Sequence, residues 1–485
     1  MIVETTLGAV RGHALPDGGE VFAGIPFAAP PIGELRFRPP QPPTPWSGVR
    51  DGSRFAAAPA QGSPTLVGKQ ETKWPALPGF PTGDLGPTSE DCLYLNVWVP
   101  GPIDRPRPVI VWIYGGGYES GSAAPPYTDG AALARQTGTV VVAANYRLGA
   151  LGFLHWPEIG AVNLGVQDQV AALGWVRDNI AAFGGDPGNI TLAGQSAGAF
   201  SIGTLLAVPA AVGLFHKAIL QSGNASRSFD PATAAAMAED FLAALGIDDA
   251  EALRSVAVEQ ILAKQSAVID GDIGRRNLPG GRAWGAVVDG DVLPIDSHQA
   301  VVTGAAAGVP LLIGATADEV RLFQVLNGDR FRPADEDALL TEIALAGVSD
   351  PATLLDAYRA RLGTDDLSAI RSAFLTDAVY RVPAVRLAQA QVQAGGRAYH
   401  YLFRDEPFGP DLGAFHGADL LHTFDALALI GADTPERLVV RDSLARAFAA
   451  FAATGEPGWP VYGSAREFGG SMINEPPVDA LAVWR

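Results

Sequence analysis

Runs of apolar residues that end in glycine, proline or polar turns predict a series of buried strands along this chain. Three such runs, CLYLNVWVP, PVIVWIY and TGTVVVAANYRLG, lie before residue 150, and two more, HKAILQSGN and PLLIGATADE, lie after residue 215. Between them, NLGVQDQVAALGWVRDNIAAFG has the pattern of an amphipathic helix that stops at Gly184. Near the end of the chain, RDSLARAFAAFAATG predicts a helix that stops at Gly455. The pattern therefore alternates strand and helix.

Strands that alternate with helices favour an α/β fold with a central, mostly parallel sheet flanked by helices. We expect residues 1–485 to form a single domain, because large α/β folds carry this length as one unit and no internal repeat divides it. Two helical stretches, at approximately 225–305 and 330–410, are expected to be insertions that cap the carboxyl edge of the sheet. The proline-rich stretch GIPFAAPPIGELRFRPPQPPTPW predicts an extended segment, and residues 60–90 predict a long surface loop.

The charge balance and hydropathy narrow the possible partners. Acidic residues number 52 against 34 Lys and Arg, which gives a net charge of −18, and no basic cluster is present to neutralise a run of phosphates. Nucleic acid is therefore not expected as a partner. No stretch of about eighteen apolar residues predicts a membrane span. Because the start, MIVETTLGAVRGH, lacks a signal-peptide pattern, we expect a soluble cytoplasmic protein.

The cysteine and histidine residues give no sign of a metal site. Cys92 is the only cysteine, so no intrachain disulfide and no thiolate cluster can form. The seven His residues show no metal-ligand spacing. We therefore expect no metal and no other cofactor, and the single thiol suits a cytoplasmic bacterial enzyme.

The stretch LAGQSAGAF places Ser196 in the pattern G-x-S-x-G, after the β-prone run NITLA and before the helical pattern SAGAFSIGTLLAVP. A nucleophile elbow needs this order of strand, tight turn and helix, because it exposes the hydroxyl above a sheet. Gly194 and Gly198 would let the strained turn approach neighbouring backbone closely. The alternative is a glycine-rich turn with an incidental serine, so the chemistry depends on finding partners for Ser196.

A serine nucleophile needs donors that stabilise the oxyanion, as well as a base and an acid that orients the base. The run VIVWIYGGGYESG ends a strand in three glycines, and such a turn can aim backbone N–H groups into a cavity. We take Gly116, Gly117 and Ala197 as the donors. A plain glycine turn is the alternative for this run.

The base and the acid are expected late in the chain, in the order that an elbow serine requires. His416, in FHGADL, is the first candidate for the base, with His400 and His422 as rivals. The strand PLLIGATADE ends in Asp318 and Glu319, either of which would lie at the tip of a strand. Spacing alone does not choose between the two carboxylates.

Ordered sequence blocks then indicate a family. They include FAGIPFAAPPIGELRFRPP, SEDCLYLNVW, WIYGGGYESGS, NYRLGALGFL, NLGVQDQVAALGWVRDNIAAFGGDPGNITLAGQSAGA, VVDGDVLP, GATADE and HGADL, and they run nearly end to end. A chain with these blocks resembles type-B carboxylesterases, the cholinesterase-like branch of the α/β-hydrolases, and most closely the bacterial para-nitrobenzyl esterases. The resemblance implies the α/β-hydrolase fold, with Ser196 as nucleophile, Glu319 as acid and His416 as base. It also implies an oxyanion hole formed by Gly116, Gly117 and Ala197.

The chain departs from the resembling family at several positions. Gln195 stands where the family usually has Glu, and Val320 stands where it usually has Gly after the acid. Cys92 usually pairs there with an earlier cysteine, whose position is Pro59 in this chain. PTGDL, at 81–85, stands where cholinesterases carry an aromatic platform for choline, so specialised choline recognition is not expected.

The expected activity is hydrolysis of carboxylic esters, small to medium and neutral alkyl or aryl, through an acyl-enzyme intermediate. The alternative is a non-catalytic cholinesterase-like binding module, against which the intact Ser196, Glu319 and His416 argue. The expected partner is a small-molecule ester, and the sequence carries no signal of oligomeric state, so a monomer is compatible with it. Five side chains are candidates for lining the substrate pocket: Gln195, Trp284, Phe323, Phe374 and Phe415. The four aromatic ones could equally belong to the protein core.

Overall fold

The computed structural model describes residues 1–16, 18–62, 86–102, 104–124, 128–463, 465–469 and 484. Most of the predicted surface loop at 60–90, including PTGDL, lies outside the described residues. The strands within the described residues are β1 Ile2–Thr5, β2 Gly8–Arg11, β3 His13–Ala14, β4 Glu20–Pro26, β5 Val49–Asp51, β6 Ala58–Pro59, β7 Thr88–Ser89, β8 Tyr94–Val99, β9 Arg107–Ile113, β10 Val140–Ala144, β11 Gly185–Gln195, β12 Lys217–Gln221, β13 Leu311–Thr316, β14 Ala398–Phe403 and β15 Ala465–Phe468.

The helices surround these strands, and none of those described combines the length and the apolar composition that a membrane span requires. A π-helical turn, Thr376–Arg381, joins two of them. The helices within the described residues are α1 Gly130–Thr137, α2 Gly149–Phe153, α3 Leu164–Asn179, α4 Ala197–Leu205, α5 Pro231–Leu245, α6 Ala250–Ser255, α7 Val258–Gln265, α8 Ile273–Asn277, α9 Ser297–Val302, α10 Arg321–Asn327, α11 Glu336–Leu345, α12 Pro351–Leu362, α13 Leu367–Leu375, α14 Val382–Gln393, α15 Ala418–Thr423 and α16 Pro435–Thr454.

One large sheet organises the molecule. Its strand order is β15, β14, β13, β12, β11, β9, β10, β8, β4 and β3. All neighbours from β15 to β10 pair in parallel, whereas β8, β4 and β3 are added antiparallel at one edge. The prediction of a mostly parallel sheet in an α/β fold is therefore confirmed.

The central strands are covered on both faces, which explains their sequences. Every residue of β12, β13 and β14 is buried, and α14 packs on β13 and β14 while α16 packs on β9 and β11. A strand that is buried on both faces is a continuous apolar run rather than an alternating one. This is the pattern from which the strands were predicted.

The glycine stops of the predicted helices are present in the structure. Gly455, with φ 78°, ends α16, and Gly184, also with φ 78°, ends the short 3-10 turn that follows α3. Glycine adopts this left-handed conformation without the strain that a Cβ would introduce. The predicted helix at 441–455 begins earlier, at Pro435, where the Thr434 side chain caps it.

Two groups of helices are inserted between strands of the sheet. Helices α5 to α9 lie between β12 and β13, and α10 to α14 lie between β13 and β14. The predicted end of the second insertion, residue 410, is wrong, because residues 398–403 form β14 within the sheet. A short apolar run that is buried on all sides, here AYHYLF, has no period that separates a strand from a buried helix.

Candidate active site

Ser196 lies in a sharp turn between β11 and α4, at the carboxyl edge of the sheet. Its backbone has φ 56° and ψ −125°, which is strained for a residue with a side chain. Two backbone hydrogen bonds hold the turn: the Ser196 N–H donates to the Gln221 C=O, and the Phe200 N–H donates to the Ser196 C=O, both at 2.9 Å. Strand, sharp turn and helix thus follow in the order that the motif predicts.

The glycines on either side of Ser196 are required by close backbone approach. A Cβ on Gly198 would lie 1.9 Å from the Ile113 carbonyl oxygen, and a Cβ on Gly194 would lie 2.7 Å from the same oxygen. Both distances are shorter than any real Cβ contact, and the atom in the way is backbone. The end of β9 therefore fits against the elbow only because these two positions carry no side chain.

The glycine loop that follows β9 lies directly against the elbow. A Cβ on Gly115 would lie 2.7 Å from the backbone oxygen of Gln195 and 2.9 Å from the Cβ of Ser196. The loop predicted to supply oxyanion donors is therefore adjacent to the predicted nucleophile.

The proposed oxyanion donors have backbone conformations that leave their N–H groups available. Gly116 and Gly117 have φ 118° and φ 65°, and the Gly116 C=O accepts the N–H groups of Glu119 and Ser120, both at 3.0 Å. Ala197 is the first residue of α4, where a backbone N–H has no partner within the helix. In the part of the chain that the structure describes, none of the three N–H groups donates a backbone hydrogen bond.

Of the two neighbouring carboxylates, the structure brings Glu319 to the imidazole of His416. The Glu319 side chain is fully buried, its Oε1 accepts the Thr316 N–H at 2.8 Å, and its Oε2 lies 2.5 Å from Nδ1 of His416. Asp318 instead exchanges hydrogen bonds with Ala414, its Oδ2 accepting the Ala414 N–H at 3.1 Å. Asp318 therefore hydrogen-bonds the loop that carries His416, whereas Glu319 contacts the imidazole itself.

The contact between Gln195 and His416 places the imidazole beside the elbow. The side-chain nitrogen of Gln195 lies 3.1 Å from Nε2 of His416. Because Nδ1 faces the Glu319 carboxylate and carries the proton, Nε2 is the unprotonated nitrogen and accepts a hydrogen bond from the amide. Gln195 is 5% exposed. The residue immediately before Ser196 thus contacts the nitrogen that a base would use.

The two rival histidines lie elsewhere. His400 is buried within β14, where burial lowers its pKa to about 4. His422 lies in α15, and its Nε2 is 3.3 Å from the Asp405 carboxylate. Neither side chain contacts the elbow.

Two aromatic side chains from the second insertion pack around the imidazole. Phe323, a predicted pocket residue, has its ring centroid 5.5 Å from that of His416. Tyr380, which the sequence analysis missed, lies at 5.0 Å. It belongs to the π-helical turn Thr376–Arg381, a rare geometry that recurs at functional sites. Nothing in the run TDAVYRVPAV distinguishes Tyr380 from a core residue.

The other predicted aromatic pocket residues occupy the core. Trp284, Phe374 and Phe415 are at most 2% exposed. Phe374 stacks on Trp484 with centroids 5.7 Å apart, and Phe415 packs on Phe408 at 5.6 Å. Their role in the substrate pocket stays a prediction.

A second buried carboxyl, also missed, lies beneath the site. Asp419 is fully buried, and its Oδ2 accepts hydrogen bonds from Gln221 at 2.9 Å and from Tyr401 at 3.3 Å. Burial, with a smaller contribution from the nearby Glu319 carboxylate, raises the pKa of Asp419 to about 6.

A serine in a strained turn at the carboxyl edge of a mostly parallel sheet, with a carboxylate-bound imidazole beside it, defines an α/β-hydrolase. Comparison with known proteins then gives the family. The model of the carboxylesterase family matches residues 1–468. The chain therefore belongs to this family, which the sequence blocks had indicated, and it is a carboxylic-ester hydrolase.

Individual relatives agree with this assignment. The para-nitrobenzyl esterase of Bacillus subtilis (strain 168) is 37% identical over 477 residues, covering 95% of this chain and 92% of that protein. The cholinesterase of Mus musculus is 33% identical over 514 residues, covering 96% of this chain and 82% of that protein. A solved structure of a thermophilic para-nitrobenzyl esterase is 34% identical and has a TM-score of 0.87, and the match covers 100% of both chains.

Proposed function

We propose that Ser196 is the nucleophile of this ester hydrolase, that His416 is its general base and that Glu319 orients the base. The observation that carries the proposal is the 2.5 Å contact of Glu319 with Nδ1 of His416, made beside the elbow. The three proposed oxyanion donors are the N–H groups of Gly116, Gly117 and Ala197.

The proposed reaction has two halves. The Ser196 hydroxyl attacks the ester carbonyl while Nε2 of His416 takes its proton, and Glu319 stabilises the resulting imidazolium. The backbone N–H groups bind the oxyanion of the tetrahedral intermediate. His416 then returns the proton to the leaving alcohol, and water repeats the sequence to release the acid and free Ser196.

Gln195 has to move during the first half of this reaction. Its amide donates to the lone pair of Nε2 in His416, and that lone pair must accept the Ser196 proton instead. The amide therefore occupies the lone pair of Nε2 until the hydroxyl replaces it.

We further propose small to medium, neutral alkyl or aryl esters as the basal substrates and a bacterial cytoplasm as the location. The buried free thiol of Cys92 is consistent with a reducing compartment. Similarity to the Bacillus esterase supports a bacterial source. A non-catalytic binding role would leave the contacts of His416 with Glu319 and Gln195, beside the elbow, unexplained.

Covalent labelling tests the proposal. A fluorophosphonate should modify Ser196 alone and abolish hydrolysis of para-nitrophenyl acetate, while Ser196→Ala should neither react nor hydrolyse the ester. A chelator should leave the activity unchanged. Inactivation by EDTA that is reversed by a divalent metal would show that the proposed mechanism is wrong.

A further inference from the structure

A positively charged side chain with one unpaired edge lies in the segment between β12 and α5. Arg227 is half-buried, and its Nε and Nη2 atoms are fully covered, yet no acceptor among the described residues reaches either atom. Its Cζ lies 5.4 Å from the centroid of the Phe200 ring. A covered guanidinium edge without a hydrogen-bond acceptor is costly, so this one requires an explanation.

Contacts place the guanidinium near the reacting groups. Phe200 is in α4, one turn after Ser196, and its ring lies 6.2 Å from that of Tyr380, which contacts His416. Burial raises the pKa of Tyr380, and the charge of Arg227 opposes that rise. Two aromatic rings thus connect the guanidinium to the imidazole.

The residue that follows the glycine loop also lies near Arg227. Tyr118 directly follows Gly117, and burial raises its pKa to about 12, again opposed by the charge of Arg227. The nearby Glu119 carboxylate is already paired with Arg276, at 2.9 Å. Arg227 and Arg276 carry two positive charges, and Glu119 carries one negative charge. These three groups together are therefore positively charged, in a chain of net charge −18.

The two unpaired hydrogen-bond donors of Arg227 lie on the same edge of the guanidinium. Nε and Nη2 form one edge of the planar fork, which binds both oxygens of a carboxylate. Elsewhere in this chain the same two atoms of Arg147 hold Asp168, at 2.8 Å and 2.7 Å. The edge that Arg147 uses to bind a carboxylate is the edge that Arg227 leaves unpaired.

We propose that Arg227 is a substrate-binding residue that pairs with a carboxylate of the ester, so that the enzyme takes carboxylate-bearing esters as well as neutral ones. The inference rests on the proposed function, because it needs Ser196 and His416 to be the reacting groups. Since both nitrogens are covered in this structure, the side chains around them have to move as the carboxylate enters. The pairing selects the substrate and takes no part in the covalent steps.

The test uses pairs of esters that differ only in a free or methylated carboxyl group. One pair carries it on the acyl side (mono-para-nitrophenyl glutarate and its methyl ester), and the other on the alcohol side (para-acetoxybenzoate and its methyl ester). For each pair the measured quantity is the ratio of kcat/KM for the anionic ester to that for the neutral ester. Arg227→Gln should lower this ratio at least about tenfold in one pair, because a charge-assisted hydrogen bond is lost. Arg227→Lys keeps the charge but not the planar fork, so it should retain part of the preference for the anionic ester.

A matched control separates the local effect from the change in net charge. Arg177→Gln removes an exposed guanidinium, whose side chain is 55% exposed, and should leave both ratios within about twofold. An equal loss of kcat/KM for both members of each pair in Arg227→Gln would overturn the inference, because a residue that only packs on Phe200 affects neutral and anionic esters alike.

A measurement on the unmodified enzyme covers the case in which the variants fail to fold. Glutarate should competitively inhibit hydrolysis of para-nitrophenyl acetate, and glutaramide, its uncharged diamide, should inhibit it at least about tenfold more weakly. Equal inhibition by the two compounds, or none by glutarate, would overturn the inference. Failure to hydrolyse para-nitrophenyl acetate, or to label Ser196, would instead contradict the proposed function.

Discussion

Asp318 and Glu319 are adjacent in sequence but their side chains have different partners. Glu319 holds the imidazole, whereas Asp318 accepts the Ala414 N–H. We expect Glu319→Gln to lower kcat about a thousandfold with para-nitrophenyl acetate, because the neutral amide neither fixes the tautomer nor stabilises the imidazolium. Asp318→Asn keeps an acceptor for Ala414 and should lower kcat by less than about tenfold. The opposite ranking would assign the role of acid to Asp318.

The hydrogen bond from Gln195 to Nε2 of His416 favours the neutral imidazole. A carboxylate at that position would accept a hydrogen bond from the imidazolium and stabilise the charged form. Gln195→Glu should therefore move the acidic limb of the kcat/KM profile to higher pH, by about one unit or more. It should also improve a choline ester relative to its uncharged isostere. An acidic limb that stays in place in a folded variant would show that residue 195 has no electrostatic influence on the base.

At the scale of elements, the position of α4 against β9 depends on the absence of one side chain. A Cβ on Gly198 would lie 1.9 Å from the Ile113 carbonyl oxygen. Gly198→Ala should lower the free energy of unfolding by about 3 kcal/mol or more, because neither backbone can give way without distorting the elbow. Gly174→Ala, in α3 with open space around the new Cβ, should be neutral or stabilising by up to about 1 kcal/mol. Urea unfolding of both variants makes the comparison, and equal stabilities would contradict the packing argument.

The burial of His400 in β14 makes the stability of the fold depend on pH. Burial, assisted by the charge of Arg381, lowers the pKa of His400 from 6.5 to about 4. Below about pH 6.5 the His400 imidazole binds a proton in the unfolded chain but not in the native chain. The free energy of unfolding therefore falls as the pH falls towards about 4. Between about pH 7.5 and pH 5 the free energy of unfolding should fall in both proteins, but in His400→Leu it should fall by about 2 kcal/mol less than in the unmodified protein. His13→Gln, at an exposed position, is the control and should leave that drop unchanged.

The parts of the site that follow strands could be predicted from the sequence. Each of Ser196, Glu319 and the glycine loop directly follows an apolar run, and parallel strands bring their carboxyl ends to one edge. The contact of Tyr380 with His416 and the packing of Arg227 on Phe200 could not be predicted, because they depend on the folding of the second insertion and of the segment after β12. Their positions depend on contacts between segments far apart in sequence, which no local pattern records.

At the scale of the whole molecule, one buried guanidinium joins the two inserted helical groups. Arg371, on α13 of the second insertion, contacts Glu342 in the same insertion at 2.6 Å and Asp272, the cap of α8 in the first, at 2.5 Å. Its Nη1 also donates to the Phe331 C=O at 2.8 Å. The Arg371 side chain is 8% exposed. The second insertion carries Phe323 and Tyr380, so its attachment to the first influences the surroundings of His416.

Loss of this guanidinium should therefore weaken the molecule as a whole. We expect Arg371→Gln to lower the free energy of unfolding by about 2 to 3 kcal/mol, because two carboxylates lose their counter-charge, one of them largely buried. Arg359→Gln is the matched control: this arginine of the same insertion also has several carboxylate partners, but its ion pairs with Asp356 and Asp365 are on the surface. Exposed pairs contribute little, so the control should lose less than about 1 kcal/mol.

Limited proteolysis decides whether Arg371 couples the two insertions or stabilises only its own. If it couples them, Arg371→Gln should speed cleavage within both 222–310 and 317–397, since each insertion loses the contact that the guanidinium gives it. Faster cleavage in 317–397 alone would mean that the contact with Asp272 contributes little and that the two insertions are held separately by the sheet.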